Sequence, residues 1–318
     1  MSQDRIEDRK TAFLFPGQGA QYVGMGRDFY DAFPEAREVF DEADSILNRK
    51  LTHLIFEGPA DLLTQTHNSQ LAIYVTSYAM VKVLEKQLPS LRPAVCSGLS
   101  LGEYTALTAA HKLPFAEGMK VVECRATLMS QACEMTKGTM AAVLGMDADD
   151  VTRVVEEVAL PEDLWVANYN CPGQSVISGT LQGVEAGKEA LSKQGAKRVL
   201  FLDVHGAFHS GLMASAQEGL RKFLSSAQIV ESDIPIVMNV PGKYVKSLDA
   251  MRNYMVEQLV SPVRWEQGVR EIAATGVNLF IEIGPGRALT GMNKKMKLEG
   301  VLCNIGKVAD LEQFAQKI

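Results

Sequence analysis

Residues 93–112 read PAVCSGLSLGEYTALTAAHK: a short apolar segment, a serine between two glycines, and a longer apolar segment. The first five residues have the composition of a buried strand, and residues 102–112 have that of a helix. The GLSLG at 98–102 is the G-x-S-x-G pattern of a nucleophile elbow, a turn so sharp that bulky flanking side chains do not fit. Strand, tight turn and helix in this order predict an α/β fold with a parallel sheet.

The alternation of strand and helix continues on both sides of this turn. Outside the middle of the chain, strands are predicted at 11–15, 236–240 and 279–283, and helices at 69–88 and 116–133. The middle has the order β-α-β-β-α-β of a ferredoxin-like unit, with segments at 140–145, 148–158, 165–169, 175–178, 181–194 and 196–204. We therefore predict a large α/β domain of residues 1–132 and 205–318, interrupted by a small ferredoxin-like domain of residues 133–204.

Composition narrows the class of protein. The chain has 318 residues, 47% of them apolar and 22% charged, as in a soluble globular protein. Its net charge of −6 argues against a generic nucleic-acid binder. The sequence has no membrane-spanning apolar run, and residues 1–10 have no apolar signal core. The five cysteines, an odd number without a C-x-x-C pair, are interpreted as reduced thiols with no zinc site. We expect a cytoplasmic protein that binds neither membranes nor nucleic acid.

The serine of the elbow needs a base, because a serine hydroxyl is a weak nucleophile by itself. Two of the five histidines, His205 and His209, follow the apolar segment 196–204. Serine before histidine is the order found in α/β-hydrolase sites. Spacing does not separate the two histidines, and either is also compatible with an ordinary loop residue. No acid stands out as a third member of the site, although Asp203 is a candidate.

A second glycine turn follows the first predicted strand. Gly17, Gln18 and Gly19 lack the third glycine of a dinucleotide fingerprint, since Tyr22 occupies its position. Such a turn can lend backbone N–H groups to an oxyanion hole, or it can simply connect a strand to a helix. The sequence leaves both interpretations open.

Arg125 falls on the apolar face of the predicted helix 116–133, at helical spacing from Val122 and Met129. One interpretation is that its head group reaches water along the helix surface. The other is a guanidinium inside a pocket, where it can bind a carboxylate through two hydrogen bonds. A basic run at Lys294, Lys295 and Lys297 is interpreted as a solvated helix face or as a docking site for a partner.

The ordered set of motifs resembles malonyl-CoA:acyl carrier protein transacylases. The set comprises FPGQG at 15–19, GLSLGEY at 98–104, Arg125, N-x-PGQ at 170–174, FHS at 208–210, Gln258 and EIGPG at 282–286. The resemblance extends from residue 11 to about residue 293. It implies an α/β-hydrolase-like large domain with an inserted ferredoxin-like small domain, in agreement with the organisation predicted above.

The resemblance also implies a role for six residues. By this resemblance, Ser100 would be the nucleophile and His209 the base. The backbone N–H groups of Gln18 and Leu101 would form the oxyanion hole, and Arg125 would bind the malonyl carboxylate. The backbone carbonyl of Gln258 would orient His209. No acidic third member is then needed. One departure is Leu99, where the family usually has histidine, so hydrogen bonding around the turn must differ. Phe208 matches members that prefer malonyl over branched acyl groups.

The resemblance therefore predicts an acyltransferase that works by a ping-pong mechanism. It would move malonyl from malonyl-CoA, through a malonyl-serine, to the phosphopantetheine thiol of acyl carrier protein, and so supply fatty-acid biosynthesis. No metal or redox cofactor is implied. Two alternatives remain at this point: a serine esterase or thioesterase, which shares the elbow, and a non-catalytic protein that binds acyl carriers.

Overall fold

The computed structural model describes residues 9–204 and 206–316. Its strands, in chain order, are β1 (Thr11–Phe15), β2 (Pro93–Gly98), β3 (Gly138–Leu144), β4 (Leu164–Cys171), β5 (Gln174–Thr180), β6 (Arg198–Phe201), β7 (Ile236–Met238), β8 (Lys243–Val245), β9 (Val263–Arg264), β10 (Leu279–Ile283) and β11 (Val301–Ile305).

The helices surround two sheets formed by these strands. They are α1 (Arg27–Ala32), α2 (Pro34–Leu47), α3 (Leu51–Glu57), α4 (Ala60–Thr64), α5 (Thr66–Gln87), α6 (Gly102–Ala109), α7 (Phe115–Met135), α8 (Ala148–Val158), α9 (Leu181–Lys193), α10 (Ala214–Leu224), α11 (Leu248–Glu257), α12 (Trp265–Ala274), α13 (Ala288–Lys295) and α14 (Val308–Ala315).

The larger sheet has the strand order β11-β10-β1-β2-β7-β8. Its pairs are parallel, except that β8 runs antiparallel to β7. Every residue of β1 and β10 is buried, as expected for central parallel strands that are covered on both faces. The carboxyl ends of β1, β2 and β7 therefore lie side by side, and loops from distant parts of the chain meet there.

The smaller sheet has the order β6-β3-β5-β4-β9. The pairs among β3, β4, β5 and β6 are antiparallel, and α8 and α9 pack on this sheet through their apolar faces. In α8 that face consists of Val151, Val154 and Val155, which recur at helical spacing. The fifth strand, β9, pairs parallel to β4 and comes from outside residues 133–204, so the sequence prediction did not include it.

The prediction of a mixed α/β fold is confirmed, although most of the predicted elements differ in extent from the observed ones. The helix predicted at 102–112 ends at Ala109, and the one at 69–88 begins at Thr66. The strand predicted at 196–204 spans only Arg198–Phe201, the residues that are in register with Ala141–Leu144 of β3. Apolar Leu202, which extended the predicted strand, instead lines a cavity between the two sheets.

Two structural findings concern membranes and metals. In the part of the chain that the structure describes, no helix is both long enough and apolar enough to span a bilayer. Over residues 9–204 and 206–316, no group of three or more His, Cys, Asp or Glu side chains is arranged to hold a metal ion.

Candidate active site

Ser100 lies just beyond β2, where the chain turns into α6. Its backbone has φ 53, in the left-handed region that non-glycine residues rarely adopt. The turn depends on its glycines: a Cβ on Gly98 would lie 2.0 Å from the carbonyl carbon and oxygen of Gly102. Strain of this kind is concentrated at functional positions, where the surrounding structure maintains it. The predicted elbow therefore forms and leaves the serine side chain only partly buried.

His209 is the histidine that faces the serine. Its Nε2 lies 2.8 Å from the Ser100 Oγ, and its Nδ1 lies 2.7 Å from the backbone carbonyl oxygen of Gln258. Because a carbonyl oxygen only accepts, Nδ1–H must be the donor there, which leaves Nε2 free to accept the serine proton. The alternative, His205, lies outside the described residues.

Burial, and after it the nearby positive charge of Arg125, lowers the pKa of His209 to about 4, while hydrogen bonds to backbone groups oppose the change. The imidazole is therefore neutral over a wide range of pH. A neutral imidazole whose tautomer is held by a carbonyl is ready to act as a base toward the hydroxyl that it contacts.

Arg125 is buried and its head group points at the serine. Its Nη2 donates to the Ser100 Oγ at 3.1 Å and to the Gln258 Oε1 at 3.0 Å. Its Nη1 donates to the Gln70 Oε1. Its Cζ lies 5.2 Å from the centre of the Tyr104 ring. The interpretation that Arg125 reaches water is wrong, since only 1% of the residue is exposed.

The hydrogen-bond partners of Arg125 are neutral oxygens; among the described residues none is a carboxylate. The buried Nε of Arg125 has no hydrogen-bond partner within that same part of the chain. A buried guanidinium held only by amide and hydroxyl oxygens can still bind an incoming carboxylate.

Gln258 occupies the position beside His209 where a serine hydrolase would have an acid. Its carbonyl accepts from His209, and its buried side-chain amide reaches Arg125. Asp203, the acid considered from the sequence, lies beyond the shortened β6 and is exposed. A neutral carbonyl holds the imidazole without adding a second charge to the buried site.

The loop after β1 lies against the elbow. A Cβ on Gly17 would lie 2.4 Å from the carbonyl oxygen of Leu99, and the Leu99 N–H donates to the Phe15 carbonyl at 3.0 Å. Among the described residues, no acceptor bonds the backbone N–H of either Gln18 or Leu101. Two unpaired N–H groups on loops that adjoin the nucleophile are what an oxyanion hole requires.

A cavity of about 180 Å³ opens above Ser100 between the two sheets. Its lining combines apolar and amide side chains with the reactive pair: Gln18, Leu99, Ser100, Met129, Met140, Asn168, Asn170, Val176, Leu202, Val204, Phe208, His209 and Met292. Leu99, at the position where the resemblance expects histidine, packs with Met292 against an apolar cluster. The side chain at this position therefore contributes packing to the site and no hydrogen bond.

Sequence reasoning missed three buried polar residues around this site. Gln70 holds Arg125 from α5, Asn239 follows β7 and contacts the elbow, and Glu103 contacts Asn239 and Gln258. Burial raises the pKa of Glu103 to about 8, whereas the Asn239 N–H, the Arg125 charge and the Gln258 amide oppose that rise. The sequence contains a signal for two of these residues. Gln70 is a polar residue inside an apolar helix, and Asn239 directly follows a parallel strand.

Comparison with known proteins identifies close similarities. Residues 12–300 match the family described as "Acyl transferase domain". The malonyl CoA-acyl carrier protein transacylase of Bacillus subtilis is 46% identical over 289 residues, which cover 90% of each chain. A solved structure of that transacylase from Clostridium perfringens has a TM-score of 0.92 and 36% identity, covering 97% of this chain and 96% of the other. A malonyl-transacylase in complex with its type II PKS acyl-carrier protein has a TM-score of 0.93 and 35% identity, covering 97% and 100%.

Proposed function

The chain belongs to the acyl transferase domain family, among the malonyl CoA-acyl carrier protein transacylases, and on that premise we propose how its residues carry out the reaction. It transfers malonyl from malonyl-CoA to the phosphopantetheine thiol of acyl carrier protein and so supplies fatty-acid biosynthesis. The observation that carries the assignment of residues is the position of the Ser100 Oγ, between His209 Nε2 at 2.8 Å and Arg125 Nη2 at 3.1 Å.

In the first half-reaction, the Ser100 Oγ attacks the thioester carbon while its proton passes to His209 Nε2. The backbone N–H groups of Gln18 and Leu101 stabilise the negative oxygen of the tetrahedral intermediate. The carbon–sulfur bond then breaks, and the CoA sulfur leaves with the proton that His209 held. Throughout, Arg125 holds the free carboxylate of the malonyl group. This contact selects dicarboxylic acyl groups and orients the ester.

The second half-reaction reverses the first with a different thiol. The phosphopantetheine thiol gives its proton to His209 and attacks the malonyl-serine carbonyl. The ester bond breaks, and the Ser100 oxygen recovers a proton from His209. Both half-reactions use the protein's own side chains, with malonyl-CoA and the carrier as substrates and no cofactor.

The direct test is to incubate the protein with malonyl-CoA and measure its intact mass. The proposal requires one malonyl adduct on Ser100 that persists without a thiol and disappears when phosphopantetheinylated carrier is added. Rapid loss of the adduct to water would identify an esterase or thioesterase. Absence of any adduct, together with binding of the carrier, would identify a non-catalytic carrier-binding protein.

The proposed domain division follows the same family. Residues 1–132 and 205–318 would form an α/β-hydrolase-like domain, and residues 133–204 an inserted ferredoxin-like domain. The β-α-β-β-α-β order from β3 to β6 and the antiparallel pairing of these strands support the assignment. The cavity above Ser100 would then lie between the domains, where ligand sites commonly occur.

We expect the acid limb of the pH profile of kcat/KM for malonyl-CoA to lie near pH 4. His209 must be neutral to accept a proton, and burial followed by the Arg125 charge lowers its pKa from 6.5 to about 4. The measurement is kcat/KM across this range.

The free energy of unfolding should depend on pH in the same range. Because the unfolded chain binds a proton on His209 at higher pH than the folded chain does, the stability conferred by neutral His209 is present above pH 6.5 and is lost as the pH falls toward 4.

Circular dichroism at each pH supplies the control for that profile, since it separates loss of the base from loss of the fold. An acid limb near pH 6.5 in protein that is still folded would contradict the assignment of His209 as the buried base.

Carrier docking requires local positive charge, because acyl carrier proteins of this kind are acidic whereas this chain has a net charge of −6. Two exposed basic clusters are candidates. The α13 cluster comprises Arg287, Lys294, Lys295 and Lys297, and the small-sheet cluster comprises Lys193, Lys197 and Arg198. The α13 cluster is favoured, because Met292 on the same helix lines the cavity and Lys295 reaches Gln174 on β5 at 3.1 Å.

Replacing Lys294 and Lys295 with alanine should slow transfer to the carrier by ~5- to 10-fold at low salt, because exposed charge pairs each contribute at most about 1 kcal/mol. The effect should shrink as salt screens the charges. Malonylation of Ser100 by malonyl-CoA should stay unchanged. The matched control is Lys193→Ala with Lys197→Ala; carrier kinetics that are unaltered in both double variants would exclude docking through either cluster.

A further inference from the structure

Asn239 connects the two ends of the strained turn that carries Ser100. Its Nδ2 donates to the Gly98 carbonyl at 2.7 Å, and its Oδ1 accepts the Ser100 backbone N–H at 2.7 Å. Asn239 is 2% exposed, so neither of these backbone groups has water as a ready substitute partner. A single side chain from the end of β7 thus satisfies the backbone on both sides of Leu99 and helps to keep φ of Ser100 positive.

Glu103, in the first turn of α6, forms hydrogen bonds with both Asn239 and Gln258. Its Oε2 accepts the backbone N–H of Asn239 at 2.6 Å, and its Oε1 accepts from the Gln258 Nε2 at 2.9 Å. The same Nε2 also lies 3.1 Å from the Ser100 carbonyl and 3.2 Å from the Asn239 Oδ1. Glu103 and Gln258 are fully buried. One carboxyl group therefore anchors both the residue that holds the turn and the residue that holds the base.

These contacts connect Ser100, His209 and Arg125 through Gln258. Its backbone carbonyl orients His209, and its side-chain oxygen accepts from Arg125. If the Gln258 amide rotated, the acceptor that it presents to Arg125 would become a donor. The hydrogen bonds that Gln258 Nε2 donates to Glu103 and Asn239 oppose that rotation, because both partners are oxygen acceptors.

We propose that Asn239 and Glu103 are positioning residues for the acyl transfer, which hold the Ser100 turn and Gln258 so that His209 and Arg125 both reach the serine hydroxyl. The proposal rests on the function proposed above. Neither residue touches the reacting atoms. They act by fixing the geometry of Ser100 and of Gln258, and displacements of about 1 Å at reacting atoms cost on the order of 100-fold in rate.

The test uses Asn239→Ala, which removes both hydrogen bonds to the turn, and Glu103→Gln, which keeps the shape but offers one acceptor to two N–H donors. Two rates are measured. One is single-turnover malonylation of Ser100, and the other is labelling of Ser100 by a fluorophosphonate, which forms an O–P bond as fluoride leaves. We expect both rates to fall by about 100-fold in Asn239→Ala and by ~10-fold in Glu103→Gln. The malonyl-CoA concentration for half-maximal acylation should change little.

Thr108→Val is the matched control, because Thr108 is buried in α6 and bonds Tyr74 away from the site. It should lower Tm and leave both rates unchanged. Wild-type rates in folded Asn239→Ala and Glu103→Gln would overturn the proposal, and failure of both variants to fold would assign the two residues to stability instead. If wild-type protein were not labelled at Ser100 at all, the proposed function would fail rather than this inference.

Discussion

Ser100→Ala should abolish the covalent malonyl-enzyme and reduce malonyl transfer on the order of 10⁶-fold, which is the loss measured when the nucleophile of a serine enzyme is removed. The hydroxyl of Ser100 is the group that both His209 and Arg125 contact, at 2.8 Å and 3.1 Å. Alanine tolerates the turn geometry no worse than serine does, since neither side chain relieves a positive φ. The loss should therefore be chemical, and Tm should change little. Intact-mass measurement after incubation with malonyl-CoA checks the adduct, and a carrier assay checks transfer.

A parallel set of variants tests His209 as the base. His209→Ala should cost nearly as much as Ser100→Ala, and the double variant should cost little more than either, because nucleophile and base act as a unit. His205→Ala is the comparison variant, because spacing in the sequence does not separate His205 from His209. A severe loss in His205→Ala with a mild loss in His209→Ala would reverse the assignment of the base, and a malonyl adduct that persists in Ser100→Ala would move the nucleophile elsewhere.

Arg125→Ala should reduce kcat/KM for malonyl-CoA by about 30- to several-thousand-fold, which corresponds to roughly 2–5 kcal/mol for removing one partner of a buried charge pair. The malonyl carboxylate must leave water to enter the cavity, and that step is unfavourable unless a fixed cation meets it. Arg125 is buried and held by neutral oxygens from Gln70, Gln258 and Ser100. Its charge is therefore available to the substrate.

Acetyl-CoA provides the control for that prediction, since it lacks the second carboxylate. Its kcat/KM should stay unchanged or rise in Arg125→Ala. Arg125→Lys should rescue malonyl transfer poorly, because an ammonium cannot form two parallel hydrogen bonds. Removing the charge should also raise the pKa of His209 and move the acid limb of the pH profile upward, since Arg125 lowers that pKa. Equal losses for both substrates would mean that Arg125 supports the fold instead of selectivity.

The sequence by itself determined the elements whose causes are local. β1, α8 and β10 have the predicted bounds, because an apolar run between polar flanks or an apolar residue at every third or fourth position specifies each of them. The elbow was also evident, since a serine in this turn needs the small residues at positions 98 and 102. The ordered motifs are also sufficient, without the tertiary structure, to indicate the family.

Only the tertiary structure decided which distant residues meet Ser100. His209, Gln258 and Asn239 lie 109, 158 and 139 positions away along the chain, and each comes from a different loop or helix end. Asn239 reaches Ser100 because β2 and β7 are neighbouring parallel strands whose carboxyl ends lie side by side. His209, in the segment between β6 and α10, and Gln258, at the end of α11, are brought to the serine by the packing of these elements, which spacing in the sequence does not reveal. The tertiary structure also decided between the two interpretations of Arg125 that the helix pattern left open. A helix pattern indicates which face is apolar, but whether a charge on that face is buried depends on what packs against it.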